Sequence, residues 1–249
     1  MRTTKPIIEF DYFGQNIYLL MVAIGVFFGL IVLLKNTKKE KVSTGEESRI
    51  ILTFVLSLII GVIFSNVTNW FFMPELMEYK LFQRFQNAGF NFYSGLLFFL
   101  GSAFVLMKFL KINTKLWMNY VIPSILVFHG FGRIGCSLAG CCYGIELFEY
   151  PVVKHTHLEL FPAREIEALS LFVMFFIFTY KVKKNRVPIY LVSYSIIRFT
   201  LELFRDDYRG NFRIPFFSPA QVISMLVVLS VLCWLVCQTI RAKKQKSSN

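Results

Sequence analysis

The stretch WMNYVIPSILVFHGFGRIGCSLAGCCYG, residues 117–144, decides how the chain is read. Residues 117–138 form an apolar run that reaches the length needed to cross a bilayer, about 20 residues of helix. Arg133 stands near its end. A permanently charged guanidinium at membrane depth is expensive and is rarely kept without a partner or a task. A second set of this kind, Arg198, Glu202 and Arg205, recurs in a later apolar segment. Two arginine sites in lipid-facing architecture point to a protein that handles an anionic group. In a membrane the obvious supply is phospholipid phosphate.

Working outward, the rest of the chain reads the same way. Of 249 residues, 55% are hydrophobic and 17% aromatic, with 29 phenylalanines, which is more than a soluble core of this size hides in uninterrupted runs. The expected fold is an all-α integral membrane protein with seven transmembrane helices. Its spans fall near 15–34, 50–72, 91–110, 117–138, 163–181, 187–204 and 217–237. The fifth and sixth runs are short and hold polar residues. No repeat, linker or soluble segment interrupts the sequence, so residues 1–249 read as a single polytopic membrane domain. The first run follows Glu9, Phe10, Asp11 and Tyr12 and lacks a small-residue cleavage pattern, so it reads as a span and not as a signal peptide. Met73–Ala88, with Leu76, Phe82 and Phe85 among polar residues, is expected to lie along the interface as an amphipathic helix.

The net charge of +12, from 27 basic and 15 acidic residues, is distributed as orientation signals. Loops 35–49, 108–115 and 182–186 and the tail after 237 hold most of the lysines, whereas the alternate loops hold most of the acids. The positive-inside rule then places the N-terminus outside and the C-terminus in the cytoplasm. This pattern suits anionic headgroups and not nucleic acid.

His129, Arg133 and Cys136 are spaced i, i+4 and i+7, which puts them on one helical face. Gly130, Gly132, Gly135 and Gly140 around them permit close approach of a helix or a ligand. The plainer reading is a tight helix pair with Arg133 snorkelling to the interface. Arg198, Glu202 and Arg205 repeat the spacing. Here the plainer reading is an internal Arg198–Glu202 ion pair, which leaves Arg205 and Arg133 over. A phosphodiester would satisfy those forked donors, with Glu202 orienting an arginine or acting as a base. Arg164, Glu165 and Glu167 open the fifth span; Glu165 reads as a helix-dipole partner, and Glu167, deeper, is placed to face the site. Cys233 and Cys237 read as small apolar residues. Cys136, Cys141 and Cys142 are ordered as structural thiol or disulfide first, reactive thiol second and metal ligands last, the spacing being no standard zinc pattern. No metal and no cofactor is expected.

The run from Gly132 to Gly144 resembles the signature of the bacterial prolipoprotein diacylglyceryl transferases. Other elements follow in the family's order. Ile17–Met21 looks like its tyrosine-bearing opening and Gly89–Gly95 like the segment before its third span. Phe161–Ala168 is similar to its proline-to-glutamate helix start. Arg198–Arg205, followed by Ser218–Gln221, is similar to its late arginine-glutamate-arginine helix. The resemblance implies transfer of diacylglycerol from phosphatidylglycerol, or a related anionic phospholipid, to the cysteine thiol of a secreted lipobox-containing precursor, at the outer face of the bacterial plasma membrane. It implies that Arg133 and Arg198 hold phosphate while Glu202 orients the cluster, and that Tyr18 and Gly144 line the site. Substrate contacts are also expected at Tyr93, Cys136, Glu167 and Arg205. The chain departs from the family pattern where Tyr93 replaces histidine, Cys136 replaces asparagine and Cys141 replaces an acidic residue. His129 stands where the family is apolar and is the candidate to supply a base. Three other readings stay open: a relative with another acceptor, a non-catalytic binder or transporter of anionic lipid, and a redox-sensitive membrane protein built on Cys136, Cys141 and Cys142.

Overall fold

The computed structural model describes residues 12–72, 74–90, 92–145, 160–206 and 217–247. Every regular element among them is a helix. The α-helices are α1 (Tyr12–Lys39), α2 (Thr44–Phe72), α3 (Leu81–Asn87), α4 (Phe92–Phe109), α5 (Thr114–Leu138), α6 (Ala163–Tyr180), α7 (Arg186–Glu202) and α8 (Pro219–Ser247). A 3-10 turn at Pro74–Glu78 precedes α3, and an antiparallel bridge pairs Gly144 with Arg205.

Four segments are long and apolar enough to cross a membrane: Asn16–Lys39, Thr44–Phe71, Trp117–Leu138 and Ala220–Arg241. They coincide with the first, second, fourth and seventh expected spans. The third appears as a shorter apolar helix, Ser94–Phe109. The fifth and sixth are helices α6 and α7, where Arg164, Glu165, Glu167, Arg198 and Glu202 raise the charge of otherwise apolar segments.

Burial is inverted relative to a soluble protein. Leu19, Phe27, Leu97, Phe104, Leu169, Phe176, Leu229 and Val236 are exposed, whereas Arg133, Arg164, Glu167, Arg198 and Arg205 are buried. Such a surface is compatible with lipid and not with water, so the chain is an all-α membrane protein.

The helices group into two compact units, residues 30–121 and residues 1–29 with 122–249. In the first, α2 and α4 meet through small residues. A Cβ on Gly61 would fall 2.9 Å from the Gly95 carbonyl oxygen, and one on Gly95 would fall 2.9 Å from Ser65 Cβ. Rings fill the flanks, Phe64 stacking on Phe98 at 4.2 Å and Phe54 meeting Phe99 edge-on. Asn66 donates to the carbonyls of Phe85 and Gly89, and Trp117 donates to that of Ile50.

The expected interfacial helix at Met73–Ala88 is instead the 3-10 turn followed by the two-turn α3; Met73 lies outside the described residues. Arg84 folds back onto the carbonyls of Met77 and Tyr79, 2.6 and 2.7 Å away, and so satisfies the backbone left open at the break. Leu81 and Phe82 remain exposed there.

In the second unit α1 lies against α5, again through glycines. Gly25 and Gly29 face the Phe128 and Ser124 carbonyls, while Gly135 faces Tyr18 and Met21. Gly130 abuts the Phe172 ring of α6. Without side chains at these points the backbones approach closely enough to bring the polar face of α5 inside the packing.

Candidate functional site

Helices α5, α6 and α7 each bring charge to one buried cluster. Glu167, one turn into α6 and 1% exposed, is its centre. Its Oε1 lies 3.1 Å from Arg133 Nη2 and accepts a hydrogen bond from the Tyr194 hydroxyl at 2.9 Å. Its Oε2 lies 3.5 Å from Arg198 Nη1 and 3.9 Å from Arg205 Nη1. Arg198 Nη2 in turn reaches Glu202 Oε2 at 2.9 Å along α7. Arg133, Arg198 and Arg205 are all buried. Among the described ion pairs, three guanidinium groups therefore converge on two carboxylates.

Planar forked donors that converge in this way are suited to take up an anionic phosphate.

The loops complete the frame. Gly144 has no room for a side chain: a Cβ would run into the Phe161 carbonyl oxygen and lie 2.9 Å from that of Phe204. Ile145 N–H donates to the Phe204 carbonyl at 2.9 Å, Phe161 N–H donates to that of Ile145 at 2.8 Å, and the Phe161 and Phe204 rings stack at 4.6 Å. This junction, with the Gly144–Arg205 bridge, fixes Arg205 just beyond the end of α7. Arg164, buried at the start of α6, donates to the carbonyls of Cys141 (2.8 Å) and Cys136 (3.4 Å) and pairs with Glu165 at 3.5 Å. Glu165 also accepts from Ser137, which gives it a partner beyond the helix dipole.

The sequence-predicted residues are mostly brought together. His129 is buried one turn before Arg133 and meets the Tyr194 ring edge-on at 5.1 Å. Arg133 does not snorkel outward; it turns inward to Glu167. The expected Arg198–Glu202 pair exists, but Arg198 also shares Glu167 with the other two arginines. Tyr18 lies beside Gly135, within electrostatic range of Cys136 and Arg133. Gly144 acts through the backbone junction it permits. Tyr93 opens α4 with its side chain outside the described residues, as are His155 and His157.

Two residues were missed. Tyr194 holds Glu167, and Tyr190 stacks on Tyr194 at 6.0 Å. The spacing Tyr190, Tyr194, Arg198, Glu202 places all four on one face of α7 and was the available signal.

All five cysteines are free thiols. Cys136, Cys141 and Cys142 converge, with their sulfurs within 4.8 Å of one another. Hydrogen bonds with Cys136 and Cys141, then Arg205 and Arg133, hold the Cys142 thiol well below its usual range. Cys141, hydrogen-bonded to Cys136 and Cys142, is pushed up. Cys233 and Cys237 sit exposed on α8, away from any such group.

Comparison with known proteins agrees with this geometry. The family model described as prolipoprotein diacylglyceryl transferase matches residues 7–237. The chain is 28% identical over 251 residues to phosphatidylglycerol–prolipoprotein diacylglyceryl transferase 2 of Clostridium perfringens, covering 94% of this chain and 96% of that one. Against the phosphatidylglycerol–prolipoprotein diacylglyceryl transferase of Clostridium tetani it is 26% identical, covering 90% and 94%. Against that of Finegoldia magna it is 23% identical, covering 96% of each.

Proposed function

The chain belongs to the prolipoprotein diacylglyceryl transferase family, and from that premise we propose that it transfers the diacylglyceryl group of phosphatidylglycerol to a prolipoprotein. The observation that carries this reading is the buried cluster of Arg133, Arg198 and Arg205 around Glu167 and Glu202.

The reaction explains why such a cluster is needed. The acceptor thiolate attacks the glycerol carbon that bears the phosphodiester. A carbon–sulfur bond forms, the carbon–oxygen bond breaks, and its electron pair leaves on the phosphate oxygen of glycerol phosphate. The phosphate thus passes from one negative charge towards two. Fixed guanidinium groups that meet the departing charge more fully than the starting one lower the barrier. Arg133 and Arg198 hold the phosphate, Arg205 adds charge from the far side, and Glu167 and Glu202 keep the forks in position. The thiol proton needs an acceptor, for which His129 is the candidate. Tyr18 and Tyr93 complete the substrate side, beside Cys136 and the Gly144 junction. The acceptor is the lipobox cysteine of a secreted precursor.

We place all seven helical segments, α6 and α7 included, across the bacterial plasma membrane as one polytopic domain. One feature supports this: the charged residues Arg164, Glu167 and Arg198 of α6 and α7 are buried. The N-terminus lies outside and the C-terminus in the cytoplasm, which sets the arginine cluster towards the outer leaflet, where precursors emerge.

The test is mass spectrometry of a lipobox peptide incubated with purified protein and phosphatidylglycerol, with Arg133→Ala beside it. The expected result is a diacylglyceryl adduct on the peptide thiol that the variant does not form. A wild-type preparation that binds the lipid yet yields no adduct would refute the transfer and leave a lipid-binding protein.

A further inference from the structure

Helix α5 ends at Leu138, and the chain reverses immediately. Gly140 and Cys142 take left-handed backbone conformations, with φ of 71° and 62°. At Gly140 this is free. At Cys142 a side chain makes it unfavourable, a strain that persists only where the surroundings impose it. The two reversals fold Cys141 and Cys142 back onto Cys136 in the last turn of α5. Cys141 N–H donates to the Cys136 carbonyl at 3.1 Å, and Arg164 from α6 holds both the Cys136 and Cys141 carbonyls. The result is three sulfurs from seven consecutive residues, Cys136 to Cys142, all within 4.8 Å of one another, one buried and two half-buried.

We propose that Cys136, Cys141 and Cys142 form a three-thiolate site for a thiophilic metal ion such as Zn2+, beside the arginine cluster. The site goes beyond the transferase reading and does not depend on it. Zinc–sulfur bonds of about 2.3 Å in tetrahedral geometry set sulfurs roughly 3.8 Å apart. The observed spacing therefore needs a contraction of at most about 1 Å, within reach of side-chain rotation. The ligands bind as thiolates, so the three sulfurs and one Zn2+ together carry a single negative charge. Arg205 and Arg133 lie close enough to Cys142 to offset it. Three protein ligands leave a fourth position for an exogenous donor, the arrangement of sites that exchange ligands and not of closed structural ones. Soft sulfur donors select Zn2+ or Cu+ over Mg2+ and Ca2+.

The test uses the reduced full-length protein in detergent and titrates it with Zn2+ against a chromophoric chelator. The expected result is one tightly held equivalent, with Cd2+ in its place giving thiolate-to-metal charge-transfer absorption. Cys136→Ser, Cys141→Ser and Cys142→Ser should each lose that equivalent, while Cys233→Ser keeps it. A second readout needs no variant: Zn2+ should protect Cys136, Cys141 and Cys142 from alkylation, mapped by mass, while Cys233 and Cys237 still react. Absence of the charge-transfer absorption, undiminished uptake by Cys142→Ser, or failure of Zn2+ to protect would each overturn the proposal. So would a protein two hydrogens lighter that, once reduced, still takes up no metal; that outcome would assign the cluster to disulfide chemistry instead.

Discussion

Glu167→Gln removes the centre of the cluster while keeping its shape. The amide oxygen can still accept from Tyr194, so the packing of α6 on α7 is left in place and only the charge is lost. In the native site the three arginines share Glu167, and in the variant that shared negative charge is gone. Arg133 and Arg205 both make their recorded ion pairs with Glu167, at 3.1 and 3.9 Å. Arg198 keeps Glu202. Removing one member of a buried ion pair costs roughly 3–5 kcal/mol, because the remaining charge stays desolvated. For a chain of this size that corresponds to a melting temperature lower by on the order of 10 °C. Thermal unfolding in detergent would measure it, with and without phosphatidylglycerol. The lipid should stabilise the variant more than the wild type, since its phosphate supplies the missing anion. Diacylglyceryl transfer should fall in parallel, because the arginines no longer converge. A variant with unchanged melting temperature and unchanged transfer would refute the assignment of Glu167 as the residue that positions the arginines.

The remaining expectations concern single contacts. Arg133→Lys keeps the charge but loses the planar fork, so transfer should fall about 100- to 1,000-fold. An equal rate would show that a point charge suffices at that position. Tyr194→Phe deletes the 2.9 Å bond to Glu167 and should destabilise the protein by about 1–3 kcal/mol, read by thermal unfolding. His129→Ala should abolish transfer while retaining lipid binding, measured side by side on one preparation; full activity would remove His129 as the base. Gly144→Ala should displace the loop junction that carries Arg205 and depress both stability and transfer, whereas wild-type behaviour would show that the junction yields without loss.

Much of this was legible in the sequence because membrane solvation leaves few alternatives. An arginine within an apolar run has to find a partner inside, so Arg133, Arg198 and Glu202 could be singled out from spacing alone. The partner that ties them together was harder to see. Glu167 stands in the first turns of a helix, where a glutamate usually serves the helix dipole, and only its deeper position set it apart from Glu165 in the sequence. The packing shows how far they differ: Glu165 is two-fifths exposed on its side chain, Glu167 almost fully enclosed. Tyr194 was missed because a tyrosine in an aromatic-rich helix reads as filler until its hydroxyl is seen to face a buried carboxylate. The expected helix at Met73–Ala88 had the right apolar spacing, but Arg84 caps two backbone carbonyls in its middle and splits it. That is a tertiary choice which periodicity does not encode.

The departures from the family pattern also change meaning once placed in space. In the sequence, Cys136 and Cys141 each stand in place of a polar group of the family pattern, and with Cys142 they already formed a set of thiols at the end of the fourth span. In the folded chain they are two members of one cluster, and Cys142, with its left-handed backbone, is the third. An asparagine and an acidic residue exchanged together for thiols that meet in space is a coordinated replacement and not an erosion. The same turn is held by Arg164 from α6, one residue before Glu165 and three before Glu167, which pairs with Arg133. Whatever the three sulfurs bind is thereby coupled through α6 to the residue that sets the arginines. Zn2+ bound to the thiols should shift the lipid dependence of the wild-type melting temperature, and Cys142→Ser should remove that shift. A lipid response indifferent to Zn2+ in a protein that demonstrably binds it would mean that the two sites share a helix without sharing energy.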